Sequence, residues 1–394
     1  MLTDGRRAAA PLPAASADAL ASSSALSSHI AACIAAAGGW IGFDRFMELA
    51  LYAPGMGYYA GGADKFGSAG DFVTAPELGP VFARTVVAQV AQLLAVSAPN
   101  VIEAGAGSGR LAADLLLELE ARGQLPDRYG ILELSGELRA RQRATIGLQA
   151  PRLLPRVHWL EHLPERFDGL VLANEVLDAM PVHLVVWNAD AICERGVGVE
   201  DGRFVWCDRV ADGCLRERAL ALASDHALPP GYLSEVSLLA PAWVAQWASI
   251  LGRGALLLID YGFPRREYYH AQRDTGTLMC HYRQHAHGEP FYLPGLQDIT
   301  AHVDFTALAE AGCAAGLDLL GYTTQASFLF NCGLTEVLAR TPASDPRRYL
   351  PLASAAQKLV SPAEMGELFK VMALGKGIDE PLIGFVRGDR SVTL

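Results

Sequence analysis

Apolar positions follow two rhythms along this chain, one typical of buried strands and one typical of helices. Five short apolar runs predict buried strands: 101–104, 131–134, 157–160, 169–173 and 255–259. Residues 111–119 and 137–146 have helical spacing and predict the helices between the first three strands. Strands that alternate with helices are typical of a parallel α/β sheet with right-handed crossovers.

The alternation is interrupted twice, and each interruption predicts added structure. Residues 184–229 contain apolar runs separated by Gly and Asp, which is typical of a small antiparallel insertion. Residues 262–300 are rich in His, Tyr, Arg and Pro, and an irregular stretch of that length is usually functional.

The two ends of the chain have patterns of their own. Gly and aromatic residues crowd residues 39–70, which predicts turns and short helices, and residues 76–96 have helical spacing. After the second interruption we predict a helix at 305–316 and three strands, at 317–323, 369–374 and 382–386.

Composition narrows the class of protein. The chain has 394 residues, of which 51% are apolar and 19% charged, so it is not mainly disordered. Its formal charge of −11 disfavours nucleic acid as a partner. No apolar run reaches the roughly 18 residues of a membrane span, so no membrane insertion is expected. The seven Cys form no C-x-x-C pair, which indicates reduced thiols and neither a disulfide scaffold nor a zinc site.

The amino terminus bears on location. Residues 6–32 are rich in Ala and Ser behind Arg6 and Arg7, as in a targeting segment, but Asp4 and Asp18 break that pattern. We therefore expect a loose tail, a helix from about Leu26 and a cytoplasmic protein. The Ala, Arg and Gly usage favours a bacterial source; a eukaryotic source would favour the mitochondrial matrix.

The stretch E-A-G-A-G-S-G at 103–109 predicts a ligand-binding loop between a strand and a helix. Gly105, Gly107 and Gly109 would let the backbone approach a ligand, and the following helix would offer free N–H groups to an anion. A dinucleotide fingerprint would need Gly or Ala at the sixth position, which is Arg110 here, so an NAD-dependent oxidoreductase is disfavoured. The pattern resembles the first motif of class I S-adenosylmethionine-dependent methyltransferases, in which Glu103 would lie near the amino end of the ligand.

Two further acidic residues follow predicted strands. Glu133 ends the second strand, where a carboxylate typically accepts both ribose hydroxyls. Glu161 follows the third strand, where such enzymes often hold the adenine amino group. A plain surface Glu remains an alternative for both positions.

The fourth strand leads into N-E-V-L-D-A-M-P-V-H at 174–183, which predicts an acidic turn at the cofactor crevice. Asn174 and Glu175 would face the crevice, because ligands bind at the carboxyl ends of parallel strands. Glu175 and Asp178 would share one face of a helical turn ended by Pro181. Paired carboxylates suit a guanidinium group, whose planar donors they match, although they could also cap a surface turn.

Seven segments together resemble the MidA-like family of class I methyltransferases, in the order in which that family has them. They are G-Y-Y at 57–59, F-G-S-A-G-D-F-V-T-A-P-E at 66–77, residues 103–109, N-E-V-L-D-A-M-P-V at 174–182, I-D-Y-G at 259–262, L-P-G-L-Q-D-I-T-A-H-V-D-F at 293–305 and G-E-L-F-K-V-M-A-L-G-K-G at 366–377. The resemblance covers residues ~26–388 of the chain. A mitochondrial member of that family acts in respiratory complex I assembly and symmetrically dimethylates an arginine of a complex I subunit.

The resemblance implies a Rossmann-like, seven-stranded, doubly wound α/β sheet with an N-terminal helical lid and a β-rich insertion. We expect a tail at 1–25, a lid region at 26–98, a methyltransferase core at 99–183 and 250–388, and an inserted substrate region at 184–249. Gly70, Asp71, Phe72 and Thr74 would fold over the cofactor, although this stretch could also be a turn that packs one aromatic ring.

The second long interruption supplies further candidates. His302 and Asp304 would share a face of an extended segment and line the substrate cleft, with Gln297 and Asp298 nearby. Glu235 is a weaker candidate for a guanidinium pocket, and Asp260 and Tyr261 either line the crevice or only pack it. The loose spacing of His281, His285 and His287 does not predict a metal site.

The sequence therefore predicts a methyltransferase that uses S-adenosylmethionine, yields S-adenosylhomocysteine and modifies a protein arginine. Glu175 and Asp178 would orient the guanidinium and ease loss of its proton. The resemblance implies a protein partner such as a respiratory NADH dehydrogenase subunit. A homodimer, a non-catalytic cofactor-binding assembly factor and a small-molecule methyltransferase stay open.

Overall fold

The protein is described by a computed structural model covering residues 12–61 and 74–394. The described helices are α1 (Ala17–Ala36), α2 (Phe43–Tyr52), α3 (Val81–Val96), α4 (Arg110–Ala121), α5 (Gly136–Gln149), α6 (Gly213–Asp225), α7 (Leu239–Ile250), α8 (Arg265–Tyr268), α9 (Phe305–Ala314), α10 (Gln325–Asn331), α11 (Leu334–Ala339) and α12 (Pro346–Val360). Short 3₁₀ helices lie at Ala75–Leu78, Leu154–Arg156, Ile383–Phe385 and Ser391–Thr393.

The strands are β1 (Ile41–Gly42), β2 (Asn100–Ala104), β3 (Arg128–Leu132), β4 (Val157–Leu160), β5 (Phe167–Asn174), β6 (His183–Trp187), β7 (Ile192–Glu200), β8 (Arg203–Val210), β9 (Tyr232–Val236), β10 (Leu251–Phe263), β11 (Met279–Tyr282), β12 (His285–His287), β13 (Asp298–Thr300), β14 (Val303–Asp304), β15 (Asp318–Thr324) and β16 (Phe369–Lys376).

The central sheet has the order β15-β16-β10-β5-β2-β3-β4, and the short β14 pairs with the end of β10. The pairs from β10 to β4 are parallel, whereas β16 runs antiparallel to both β10 and β15. The predicted seven-stranded α/β sheet is therefore confirmed. The strand order reverses at β2, because β3 lies on one side of it and the later strand β5 on the other.

Helices cover both faces of this sheet, so alternate residues of its strands enter different cores. In β10, Leu257 packs with residues of α3 and α4, while Leu256 and Leu258 pack with residues of α7 and α9. This two-sided burial explains why the strands read as continuous apolar runs. Since α3 packs on the sheet, it belongs to the core and not to the lid region expected at 26–98.

The insertion forms a second, antiparallel sheet with the order β1-β7-β6-β9, with β8 on the other side of β7. The antiparallel prediction for residues 184–229 is confirmed. Strand β1, from the N-terminal region, pairs Ile41 and Gly42 with Val197 and Gly196. This pairing fastens α2, which follows β1 directly, to the insertion.

Helix α1 begins at Ala17, so residues 17–25 are helical and the tail expected to extend to residue 25 is shorter. The Ser16 hydroxyl caps the helix by accepting the N–H of Ala19 at 3.2 Å. By length and mean hydropathy (1.4) α1 could cross a membrane, a possibility the apolar-run argument missed. In the structure its Leu26 and Ile30 pack against α2 residues.

Two later stretches also differ from simple pattern reading. Residues 262–300 contain a small sheet of the order β12-β11-β13. The strand predicted at 382–386 is wrong, because residues 383–385 form a 3₁₀ helix.

Candidate active site

A cavity of about 1150 Å³ lies at the carboxyl ends of β2, β3 and β5, where the strand order reverses. Ligands of open α/β sheets bind at such points. Nine of the predicted site residues line it: Thr74, Glu103, Gly105, Gly107, Glu133, Glu161, Asn174, Glu175 and Asp178. Gly70, Asp71 and Phe72 lie outside the described residues, so the predicted lid stays a prediction.

The glycine loop approaches its neighbours so closely that side chains are excluded. Gly105 and Gly107 have φ of 60° and 52°, and a Cβ on Gly105 would lie 2.9 Å from Val176 Cγ2. Gly109 (φ 83°) caps α4, and a Cβ there would lie 2.8 Å from the Cα of Gln142. Gly109 is outside the cavity lining, so it shapes the loop from behind.

Gln142 of α5 joins the glycine loop to Glu133. Its Nε2 donates to the carbonyl of Gly107 at 3.1 Å and to Oε2 of Glu133 at 3.0 Å. Its Oε1 accepts from Trp159 Nε1 at 2.9 Å, which fixes the orientation of the amide. The other Glu133 oxygen accepts the N–H of Ser135 at 2.9 Å. Glu133 is therefore held in place at the end of β3, as a ribose-binding carboxylate requires.

Glu103 is buried at the end of β2 and also lines the cavity. The hydroxyl of Tyr129 donates to its Oε2 at 2.7 Å. Burial raises the pKa of Glu103 to about 7, although the Tyr129 hydrogen bond opposes this shift. A bound cation would favour its charged form.

Glu175 has a left-handed backbone (φ 53°), which is uncommon for a residue with a side chain. Its N–H donates to the Ile259 carbonyl at 2.9 Å, and its Oε1 accepts from the Ala75 N–H at 3.2 Å and from Asn174 Nδ2 at 3.1 Å. Burial, and then the Asp178 carboxylate, raise the pKa of Glu175 to about 8. Strained backbone of this kind persists where the surroundings hold it and clusters at functional sites.

The turn after Glu175 is not the helical turn that its spacing predicts. Asp260, at the end of β10, organises it: Oδ2 accepts three successive backbone N–H groups, those of residues 176–178, at 3.1, 2.9 and 3.3 Å. Asp260 Oδ1 accepts the N–H of Tyr261 at 2.9 Å. Asp260 does not line the cavity but shapes the loop that does.

Asp178 is 6% exposed and lines the cavity, and its Oδ1 has no hydrogen-bond partner among the described residues. Burial raises its pKa to about 6, and a hydrogen bond from Tyr261 opposes the shift. A buried carboxylate oxygen without a donor is costly, so it favours a ligand that donates there.

Two tyrosines of the N-terminal region support the same loop. Tyr52 of α2 donates to the carbonyl of Ala179 at 3.0 Å, and Tyr59 stacks on it with ring centroids 5.4 Å apart. The Tyr59 hydroxyl contacts both carboxylate oxygens of Asp298, at 3.0 and 2.9 Å. Asp298 thus acts behind the cavity, through Tyr59.

His302 and Asp304 do not line the cavity, which corrects their predicted place in a substrate cleft. The His302 ring stacks on Phe263, with centroids 5.2 Å apart. Asp304 caps α9 by accepting the Ala307 N–H at 3.1 Å, and it pairs with Arg265 at 3.4 Å. The D-F-T-A sequence at 304–307 is a helix start rather than a pair of cleft residues.

Glu235 is likewise structural. It is 1% exposed, and its carboxylate accepts the N–H groups of Thr277 at 2.9 Å and Leu278 at 2.8 Å, together with the Tyr268 hydroxyl at 3.2 Å. Its acceptors are thus used by the chain itself, which leaves no guanidinium pocket there.

One group of side chains near the cavity has metal-ligand geometry. Asp44 of α2, His183 of β6 and Glu194 of β7 bring their ligand atoms within 4.8 Å of one another. His183 Nδ1 lies 2.7 Å from Glu194 Oε1 and 3.5 Å from Asp44 Oδ1, and these carboxylates raise its pKa above the usual value. The group is therefore satisfied as an ion pair that joins α2 to the insertion.

The cavity wall is strongly acidic. Eight carboxylates belong to the described lining residues: Asp44, Glu48, Glu77, Glu103, Glu133, Glu161, Glu175 and Asp178. Among the same residues the basic side chains are Arg110, His162 and His183. A cavity of this charge favours cationic ligands.

Comparison with known proteins decides the family. A model of the S-adenosyl-L-methionine-dependent methyltransferase family matches residues 81–323. A crystal structure of a Burkholderia thailandensis protein bound to S-adenosyl-homocysteine is 57% identical, with a TM-score of 0.94, over 98% of this chain and 100% of that one. The chain belongs to the MidA-like methyltransferase family.

Curated relatives of this MidA-like methyltransferase are more distant. The mitochondrial protein arginine methyltransferase NDUFAF7 of Danio rerio is 27% identical over 88% of this chain and 86% of its own length. The Drosophila melanogaster homolog is 28% identical over 86% and 84%. Activity and cofactor class are thus as the sequence predicted.

The cavity of this MidA-like methyltransferase fits S-adenosylmethionine. The cofactor has two cationic centres, which suit buried carboxylates, and one carboxylate, which suits the N-terminus of α4. Asn174 adds a buried Oδ1 that has no partner within the described chain and lines the cavity. Glu103 and Asn174 would hold the amino-acid end, and Glu133 the ribose.

Several residues that shape the site carry no clear sequence signal. Gln142 is one polar residue in a polar helix, and Tyr52 lies 127 residues before Ala179, whose carbonyl it contacts. Asp260 does have a sequence signal, because it directly follows the buried strand predicted at 255–259. The sequence did not decide whether it lines the crevice or packs behind it.

Proposed function

We propose that this methyltransferase modifies an arginine side chain of a protein, with Glu175 and Asp178 binding the guanidinium group. The observation that carries the proposal is Oδ1 of Asp178, which has no hydrogen-bond partner among the described residues and lies in the same cavity as Glu175 and the glycine loop. The names of the NDUFAF7 relatives support the same substrate class.

The two carboxyl groups suit both binding and proton removal. S-adenosylmethionine supplies an electrophilic methyl group on a sulfonium. An arginine nitrogen that gains this methyl must give up one proton to remain a singly charged guanidinium. Asp178, with a pKa of about 6, is mostly ionised near neutral pH and can take that proton. Glu175, with a pKa of about 8, becomes an acceptor when the nearby cations of the bound cofactor and substrate favour its charged form. Bidentate contact with the planar guanidinium would orient the nitrogen.

The wider assignments rest on the relatives. A respiratory NADH dehydrogenase subunit is the partner that the family resemblance implies, and the mitochondrial location in the names of the NDUFAF7 relatives agrees with it. A bacterial counterpart would act in the cytoplasm. The antiparallel insertion would contribute to substrate binding, since His183 at its start lines the cavity.

The test is to incubate the purified chain with isotopically labelled S-adenosylmethionine and proteins of a cell extract, and then to identify labelled residues by mass spectrometry. Label on arginine in a protein, absent with a Glu175→Gln and Asp178→Asn variant, is the expected result. Label only on a small molecule would overturn the proposal in favour of a small-molecule methyltransferase. Cofactor binding without any labelled product would favour a non-catalytic assembly factor.

A further inference from the structure

The cavity extends beyond the residues expected to hold the cofactor. Its remaining wall comes from α2, from residues 54–60, from the loop after Asp178 and from the start of α7. Small-molecule sites usually enclose about 300–1,000 Å³, so this cavity has room for a second ligand group beside the cofactor. We call the α2 and α7 sides of this wall the rim.

The α7 side of the rim is apolar and partly exposed. Leu239, Ala242 and Trp243 are spaced three and four residues apart, so they share one helix face. Leu239 is 47% exposed although it is apolar, and Trp243 is held by Trp247, with ring centroids 5.9 Å apart. An exposed apolar face at the mouth of an active site is typical of a polypeptide-binding surface.

The α2 side of the rim is acidic. Asp44 and Glu48 are four residues apart and line the cavity, while Phe43, Phe46 and Met47 of the same helix are buried. Glu48 pairs with Arg45, but both side chains are about half exposed, so a substrate cation can readily exchange with Arg45. Asp44 is already paired with His183, so Glu48 is the carboxylate on this side that is open to a basic residue of a peptide.

Between the two sides lies Asp178, which is nine-tenths buried and has the unpartnered Oδ1 described above. The wall therefore offers one deep acceptor for a cation, a shallow acidic surface and a shallow apolar surface. A lone arginine derivative would use only the first of these.

We propose that the rim binds an extended segment of the substrate protein in which the target arginine is flanked by a bulky apolar residue and by a second basic residue. The apolar residue lies on Leu239 and Trp243, and the basic residue lies on Glu48. The inference rests on the proposed function and specifies its substrate class.

The test uses short peptides with one central arginine. One peptide carries both flanking residues, two carry only one of them, and one carries neither. Methylation kinetics are measured with S-adenosylmethionine, and fluorescence anisotropy measures peptide binding to the protein saturated with S-adenosylhomocysteine.

We expect the doubly flanked peptide to have a KM about tenfold lower than that of the plain peptide, with a similar kcat. Leu239→Ser should remove only the advantage of the apolar flank. Glu48→Gln should remove only the advantage of the basic flank. Leu350→Ser on α12 and Glu120→Gln on α4, both away from the cavity, are the matched controls.

The outcomes separate this inference from the proposed function. Equal KM and equal affinity for all arginine peptides would overturn the inference while methylation of arginine still stands. Flank-dependent binding without methylation would support the rim and overturn the proposed function. Neither binding nor methylation would overturn both. A change in oligomeric state with Leu239→Ser, without a change in peptide affinity, would make this face a contact between copies and overturn the inference.

Discussion

Gln142 donates through a single amide nitrogen to Glu133 at 3.0 Å, and the same nitrogen contacts the carbonyl of Gly107 at 3.1 Å. The side chain thereby ties the predicted ribose-binding carboxylate to the loop that approaches the cofactor. Because Gln142 lies behind both, its effect on binding is one of positioning.

We expect Gln142→Ala to weaken S-adenosylmethionine binding by about tenfold, since a lost buried hydrogen bond costs about 1–3 kcal/mol and about 1.4 kcal/mol is a factor of ten. Isothermal titration calorimetry measures the change. Gln149→Ala, at the end of the same helix, is the control. Equal affinities for the two variants would show that Glu133 and the loop hold their positions without Gln142.

Glu175 and Asp178 are expected to matter for turnover more than for cofactor affinity. The variant Glu175→Gln with Asp178→Asn keeps the shape of the loop and removes both proton acceptors. Turnover should fall at least about 100-fold, the usual contribution of a general base, with cofactor affinity nearly intact. A methylation assay measures turnover, and calorimetry measures cofactor affinity. A collapse of cofactor affinity would contradict the assignment of these two residues to the substrate.

Asp260 is expected to stabilise the protein through the loop at 176–178. Asp260→Ala would leave buried N–H groups without an acceptor, each at a cost of about 1–3 kcal/mol, so unfolding free energy should fall by roughly 3 kcal/mol. Chemical denaturation measures this, with exposed Asp318→Ala as the control. A loss no larger than in the control would mean that the loop finds other acceptors.

The raised pKa of Glu175 predicts a pH-dependent stability. Its folded pKa of about 8 lies above the ordinary value of 4.5, so the folded state holds a proton that the unfolded state has lost between these values. This contribution is fully present below about pH 4.5 and is lost as pH rises to about 8, at up to about 1.4 kcal/mol per pH unit. Thermal unfolding of the ligand-free protein from pH 6 to 8, roughly the accessible part of that window, should show the decline.

Glu175→Gln should reduce that decline, whereas Glu120→Gln should not; the part that remains comes from Glu103, whose pKa is also raised, to about 7. Saturation with the cofactor should also change the slope, because a nearby cation favours the charged carboxylate. An identical slope in the wild type and in Glu175→Gln would show that Glu175 does not hold the proton.

Asp304 should act on stability alone. Loss of a helix cap costs about 1 kcal/mol, so Asp304→Ala should lower the melting temperature, and Asp304→Ser, which keeps a capping oxygen, should recover part of it. Turnover per folded molecule should stay constant in both variants. Reduced turnover at an unchanged melting temperature would instead return Asp304 to the substrate cleft.

The fold could be predicted because its strands are buried on both faces and its connections are regular. The apolar run at 157–160 coincides with β4. The glycine loop could be predicted because its three glycines adopt positive φ values that other residues rarely adopt. The start of α1 was placed too late, because Ala- and Ser-rich sequence lacks an amphipathic pattern even though Ala favours helices.

The site was less predictable, because its shape depends on contacts between distant parts of the chain. The three-residue spacing of Glu175 and Asp178 predicted a helical turn. Instead, the carboxylate of Asp260, more than eighty residues later, accepts the N–H groups of residues 176–178 and holds them in a non-helical loop. Both carboxyl groups still face the cavity. For His302 and Asp304 the expected shared face of an extended segment did not lead to the site, because Asp304 caps α9 and neither residue lines the cavity.

The order of strands in the central sheet also constrains how the chain can be completed during synthesis. β16 lies between β10 and β15, although it is the last strand to leave the ribosome. Until residues 369–376 emerge, β15 has no partner strand and the edge of β10 is exposed. A chain whose synthesis stops before residue 369 would therefore expose the backbone N–H and C=O groups of an apolar sheet edge. Such an edge can pair with other chains, so we expect the truncated protein to aggregate.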